Sequence, residues 1–199
     1  MQTRFILLAA ALLLTISASA QNETPRTYTN FPIIITVQFH ALSLPFRNLK
    51  SNFKNVGIGI GTEVSHNGQQ NWVTQMGVLW YRNRNVGNGF MPHLQTVWRP
   101  TLADDVYTEI KAGLGYLISS RPSPSWRQVN GVWQPAGHKG KGMFTVPLGV
   151  SLGANTWAGK TQLSPFVTYQ FMLVTGYSAS IPLVPETLIQ TGARVHIDY

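Results

Sequence analysis

Phe144-Thr145-Val146-Pro147-Leu148-Gly149-Val150-Ser151-Leu152-Gly153 decides the fold. Its even positions are large and apolar, and its odd positions are small or polar. That period of two belongs to a β-strand with two unlike faces. Val56 to Val64 repeats the pattern. Val56, Ile58, Ile60, Thr62 and Val64 share one face, and Gly57, Gly59, Gly61 and Glu63 share the other. No long segment after residue 20 shows the 3.6-residue period of a helix, and none is an apolar run long enough to span a bilayer as one.

Eight alternating segments follow from this reading, at about 31–44, 55–65, 71–82, 89–99, 105–119, 143–154, 162–176 and 188–199. Most are far longer than an ordinary soluble strand and match the length a tilted strand needs to cross a bilayer. Their connections alternate too. Ser65–Asn71, Pro100–Asp104 and Asn155–Thr161 are short. Pro45–Lys54, Asn83–Asn88, Ser120–Gly142 and Tyr177–Thr187 are mostly longer. The expectation is an all-β, eight-stranded antiparallel up-and-down transmembrane barrel with short periplasmic turns and longer extracellular loops.

The face holding Val56, Val150 and their equivalents, including Ile33 to Ala41 in steps of two, carries no charge, although charged residues make up 11% of the chain. A soluble sandwich with its core on that face would need a richly polar second face. The second face here is rich in glycine, which suits the crowded interior of a narrow barrel. Tryptophans fall at strand ends. Trp72 and Trp80 share one face of one strand, about 26 Å apart along it. Trp72, Trp98 and Trp157 fall near short turns, and Trp80 and Tyr116 near long loops, so two aromatic girdles are expected.

The first twenty residues read as a secretory signal peptide. Arg4 precedes a short apolar run, and Ala18-Ser19-Ala20 is a cleavage signal. Residues 21–30 then form a short periplasmic segment and 31–199 the barrel. The final residues alternate back from an aromatic through Tyr199, Ile197, Val195 and Ala193. This row resembles the C-terminal signal read by the outer-membrane assembly machinery, although such barrels usually end in Phe. The region 31–199 resembles small eight-stranded outer-membrane barrels of the OmpA/OmpX/OmpW kind. The resemblance implies fold, compartment and assembly route, and it matches no motif specific to one function.

The expected lumen residues are Gln38, His40, Glu63, Gln75, His93, Gln95, Arg99, Glu109, Lys111, Gln170, Arg194, His196 and Asp198. Eight strands leave an interior just wide enough for side chains to fill, and buried charges need partners. A plugging network with Arg194 against Glu63 or Glu109 is therefore expected. The alternatives are a small pore for polar solutes and a lipid-modifying enzyme. The nearest His–Ser couples, His40 with Ser43 and Ser65 with His66, have spacings that point to opposite faces of a strand. The chain has no cysteine, and its five histidines show no metal-ligand spacing. Gly57-Ile58-Gly59-Ile60-Gly61 is followed by no helix that could bind a nucleotide. No cofactor and no nucleic-acid partner are expected.

Net charge is +8. The expected long loops hold Arg47, Lys50, Lys54, Arg82, Arg84, Arg121, Arg127, Lys139 and Lys141 against Glu186 alone. Facing outward, they would meet outer-membrane lipids, above all lipopolysaccharide phosphates. In the longest loop, Arg121, Trp126, Arg127, Trp133, Lys139 and Lys141 are candidates for recognising a lipid or an envelope protein. The expected role is structural or interactive: envelope integrity, adhesion, or one subunit of an envelope assembly.

If the terminal row carries the assembly signal, deleting Tyr199 or making Tyr199→Asp lowers outer-membrane insertion and leaves periplasmic aggregate. His196→Gln, on the other face of the same strand, is far milder. Membrane fractionation of the variants beside the parent checks this, and normal insertion of both Tyr199 variants refutes it.

Overall fold

The computed structural model describes residues 31–196, apart from 43, 45–52, 54, 68, 69, 85, 86, 121–124, 138, 139, 159, 160 and 178–180. The proposed signal peptide and short N-terminal segment lie outside the described residues. So do Ser43, Arg47, Lys50, Lys54, Arg121, Lys139, Ile197, Asp198 and Tyr199.

The long strands are β1 (Ile33–Ala41), β2 (Val56–Ser65), β3 (Trp72–Tyr81), β4 (Gly89–Trp98), β6 (Val106–Ser119), β9 (Lys141–Ala154), β11 (Thr161–Thr175) and β12 (Leu183–His196). Each pairs antiparallel with the next, and β12 returns to β1 from Ile33↔Val195 to Ala41↔Thr187. The sheet is thus a closed barrel of eight long strands. Short strands β5 (Thr101–Ala103) and β10 (Thr156–Ala158) extend two hairpins beyond the barrel proper at the short-turn end.

Alternation sets the two faces. Ile33, Ile35, Val37, Val56, Ile58, Ile60, Leu94, Leu114, Val150 and Leu152 are all exposed on the outside. So large an apolar surface is stable only against hydrocarbon. Aromatics bracket it. Trp72 lies opposite Trp98 at one end of the β3–β4 hairpin, and Trp80 opposite Phe90 at the other. Tyr116 and Phe144 meet edge-on, 5.3 Å between ring centroids, at the long-loop end of β6 and β9. Trp157 is exposed on β10.

Inside, glycine makes room where the backbone of a neighbouring strand or another side chain comes close. A Cβ on Gly113 would strike the Leu94 carbonyl, and one on Gly153 would strike the Tyr107 ring.

Several boundaries differ from the sequence reading. β1 is confined to Ile33–Ala41. Ala41, expected on the outer face, is buried opposite Thr187. Nearby, the Phe53 and Phe39 rings lie 5.2 Å apart between centroids. β9 begins at Lys141, which places this candidate loop cation at a strand end. β12 begins at Leu183, five residues before the expected start, so Glu186 is a strand residue and not a loop residue. Pro182 and Pro185 suggest a loop when read alone. Over Leu183 to Glu186, however, β12 has not yet met β1 and bonds only to β11. Proline is tolerated where one side of the strand needs no ladder hydrogen bond.

The longest loop also carries strands of its own. β7 (Ser125–Val129) and β8 (Val132–Gly137) form a separate hairpin. Asn130 and Gly131 both have positive φ, 51° and 78°. Two such residues build the tight turn whose twist matches a hairpin, and Asn-Gly is its preferred pair.

Val150 is 53% exposed on the lipid face, near the middle of β9. Val150→Arg should therefore cost about 2–4 kcal/mol of folding stability. Ser151 is buried and shares a 2.7 Å hydrogen bond with Thr168, so Ser151→Arg acts by crowding the lumen. Denaturant unfolding in lipid bilayers separates the two. An unchanged midpoint for Val150→Arg contradicts the face assignment.

Candidate functional site: the barrel interior and its two ends

Three tiers fill the lumen. The tier nearest the short turns is ionic. Arg99, just past the end of β4, reaches Glu63 Oε2 and Glu109 Oε1, each at 2.7 Å, and donates to the Gln70 carbonyl at 3.2 Å. Arg194 on β12 approaches the same carboxylates, Glu109 Oε1 at 2.6 Å and Glu63 Oε2 at 3.1 Å. Lys111 Nζ lies 2.9 Å from Glu109 Oε2. Arg194 is 1% exposed, and Glu63, Glu109 and Lys111 are buried too. Every charge has an opposite partner, as burial requires. The Tyr107 ring lies beside both guanidinium groups, 5.5 Å from Arg99 and 5.6 Å from Arg194, and Phe166 is 5.0 Å from Lys111. These ring faces stabilise the cations further.

The middle tier is a belt of amides. Gln38 donates to the Ile58 and Trp80 carbonyls at 2.9 and 3.2 Å. Gln95 donates to Gln170, and Lys111 to Gln75, each at 3.3 Å. Gln190 reaches Gln38 at 3.5 Å. The cavity between them, bordered also by His93, is about 30 Å³. That is room for about one or two waters.

The tier nearest the long loops is largely apolar, and the sequence reading placed no such layer there. Leu79, Met91, Leu117, Met143, Met172, Val174 and Leu188 pack together. Methionine suits so irregular a space. One polar cluster is set beside them. His40 Nε2 lies 3.0 Å from Glu186 Oε2, which also accepts from the Tyr81 hydroxyl at 3.0 Å. Asn83 lies 3.0 Å from His40 Nδ1, and the Tyr81 ring stacks on His40 at 3.9 Å. Both ring nitrogens of His40 are therefore engaged by groups other than serine. Ser65 bonds to the Asn67 carbonyl, while His66 meets Thr74 at 2.6 Å. The second His–Ser couple thus faces two different partners. Among the described residues, no three His, Cys, Asp or Glu side chains cluster to hold a metal.

The structure accordingly brings Glu63, Arg99, Glu109, Lys111 and Arg194 into one cluster. It places Gln38, Gln75, Gln95 and Gln170 in the belt above, sets His40 apart at the opposite end, and buries His196 beside the short turns. The sequence reading omitted Tyr107, Gln190, Tyr81 and Glu186 from the interior. Strand parity alone places Tyr107 with Glu109, and Gln190 with Arg194.

At the long-loop end, Trp126 and Trp133 are 60% and 64% exposed. They share one face of the β7–β8 hairpin, since Trp126 opposes Pro135 and Trp133 opposes Gln128. Arg127 opposes Gln134 on the other face. Lys141 is occupied at 2.7 Å by the Tyr177 carbonyl.

No family model matches the sequence, and no curated protein matches it. Solved structures do share the fold. The chain is similar to Ail, the attachment invasion locus protein of Yersinia pestis, with a TM-score of 0.52 and 12% identity over 86% of this chain and 100% of that one. It is similar also to the neisserial surface protein NspA, with a TM-score of 0.49 and 10% identity over 85% of this chain and 97% of that one. At such identities the likeness is one of fold: a small eight-stranded barrel of the outer-membrane kind.

Glu109 is the common partner of three cations. Glu109→Gln leaves Arg99 and Arg194 facing Glu63 alone and Lys111 with no carboxylate partner among the described residues. It should destabilise the barrel by about 3–5 kcal/mol, the usual cost of stranding a buried charge. Guanidinium unfolding in detergent micelles measures it. A loss below about 1 kcal/mol, as for exposed pairs, contradicts the account of the ionic tier.

Proposed function

We propose that this chain is an exported outer-membrane barrel whose lumen is closed to solutes and whose role is structural or interactive, exerted from the long-loop end. The observation that carries this reading is the filled interior. Among the described residues, the amide belt between the ionic and apolar tiers encloses a space of about 30 Å³. A plugged cylinder with an uncharged apolar outside is a rigid membrane mount, and what it mounts is the loop surface. That surface offers the two tryptophans of the β7–β8 hairpin to an envelope protein or a glycolipid. It also offers a second feature nearer the bilayer. Arg82 and Arg84 border a groove of about 680 Å³ whose other walls include Val56, Ile58 and Trp80. Acyl chains against the apolar wall and phosphates against the guanidinium groups would suit lipopolysaccharide. Delivery to the membrane would rest on the assembly machinery and on the terminal row that ends in Tyr199. Ail bears attachment in its name, and adhesion is one role this arrangement could serve.

Single-channel recording in planar bilayers tests the closed lumen. The expected result is no stable open state across the voltage range the bilayer tolerates. A reproducible open level overturns the reading in favour of a pore. Lipid A from cells with and without the gene should give the same mass spectrum, and a gene-dependent change in acylation overturns it in favour of an enzyme.

A further inference from the structure

The short-turn end of the barrel is not flat. It holds a polar cavity of about 350 Å³ that reaches inward to the ionic tier. Arg99, Tyr107, Asn155, Ser164, Arg194 and His196 are among its walls, and no carboxylate of the described residues lines it. Glu63 and Glu109 stand behind the two guanidinium groups, on the lumen side. The five-charge cluster has three cations and two carboxylates, and so carries one positive charge in excess among the described residues.

Two hydrogen-bonding groups of the cavity wall, Tyr107 and Asn155, keep a donor to give. The Tyr107 hydroxyl accepts from Arg194 Nη1 at 3.2 Å, which leaves its own hydrogen to give. The Asn155 side-chain oxygen accepts from Ser164 at 2.8 Å, which leaves the amide's donor end. Each guanidinium has five N–H groups in a rigid fork. The Glu63, Glu109, Gln70 and Tyr107 contacts engage one N–H on each guanidinium nitrogen and leave two on each arginine. Two cations at the cavity wall with N–H groups to spare, and the Tyr107 and Asn155 donors beside them, describe a receptor for an oxyanion. The Gly153 position supports it, since only a residue without a side chain lets the Tyr107 ring lie where it does.

We propose that this vestibule is a binding site for a small oxyanion, a phosphate or a carboxylate, taken from the side on which the short turns lie. In outer-membrane barrels that side faces the periplasm. The anion neutralises the excess charge of the ionic tier and ties β4, β6, β11 and β12 together at their short-turn ends. The proposal needs no conduction through the lumen, so it stands or falls separately from the closed-barrel reading.

The test is calorimetric titration of the folded full chain in lipid nanodiscs, with inorganic phosphate and with succinate in separate experiments. Saturable binding of at least one is expected, with affinity that falls as sodium chloride is raised. Tighter phosphate assigns a phosphate source, and tighter succinate a carboxylate source. Asn155→Asp sets a carboxylate where the ligand's would sit, outside the five-charge cluster, and should weaken binding at least tenfold. Tyr107→Phe should weaken it severalfold. Retention of heat-modifiable migration in SDS shows that each variant still folds. No saturable binding of either anion to the parent overturns the proposal. So does equal affinity in Asn155→Asp. Asp198 belongs to the same strand parity as Arg194 and His196, so Asp198→Asn is titrated as well. Binding that appears only in that variant means the chain's own carboxylate fills the vestibule, and it likewise overturns the proposal.

Discussion

A hydrocarbon layer offers no water to a backbone N–H or C=O, so a sheet placed in it must have no free edge. The pairing of β12 with β1, register Ile33↔Val195 through Ala41↔Thr187, meets that demand here. Everything else depends on this closure. It fixes which side of each strand meets lipid, and it forces the opposite sides of eight strands into one narrow space. Glycine, glutamine and paired charge are then the residues that fit.

Closure also explains why the interior can be so polar. In a soluble protein, the inner face of a sheet is usually the apolar one and the outer face is wet. Here lipid supplies the apolar environment outside, and the interior is free to be held together by ion pairs and amides. The short-turn end uses this fully, with Glu63 and Glu109 each shared by two arginines and Glu109 by Lys111 as well. A buried ionic cluster is weak evidence for net stability, because desolvation offsets much of its attraction. Its geometry, however, is demanding, and it couples strands far apart in sequence: β2, β4, β6 and β12.

The two ends of the cylinder are chemically different. The long-loop end seals with methionine, leucine and valine and with one His40–Glu186–Tyr81 cluster, then rises into a hairpin of exposed tryptophan. The short-turn end has a vestibule with Arg99 and Arg194 in its wall. A barrel that served only as filler in the membrane would need neither feature.

The architecture is legible in the chain alone, because a period of two is a local property that each segment displays without reference to the others. The row from Phe144 to Leu152 keeps its phase and points outward as read, apart from the partly covered Val146. The lumen membership of Glu63, Arg99, Glu109, Lys111 and Arg194 follows from the same parity. What parity does not contain is height. Whether Arg194 faces Glu63, Glu109 or both depends on the stagger between strands, and the closed sheet alone sets that. The same holds for His40 and Glu186, which are 146 positions apart and meet because β12 extends beyond the end of β1. Pro185 hid that extension, since proline is a loop signal wherever a strand has two neighbours and ceases to be one where it has only one. The vestibule, too, belongs to tertiary structure. Its donors come from β6, β11, β12 and the turns that hold Arg99 and Asn155. Only their convergence at one end of the barrel turns scattered arginine, tyrosine and asparagine into a site.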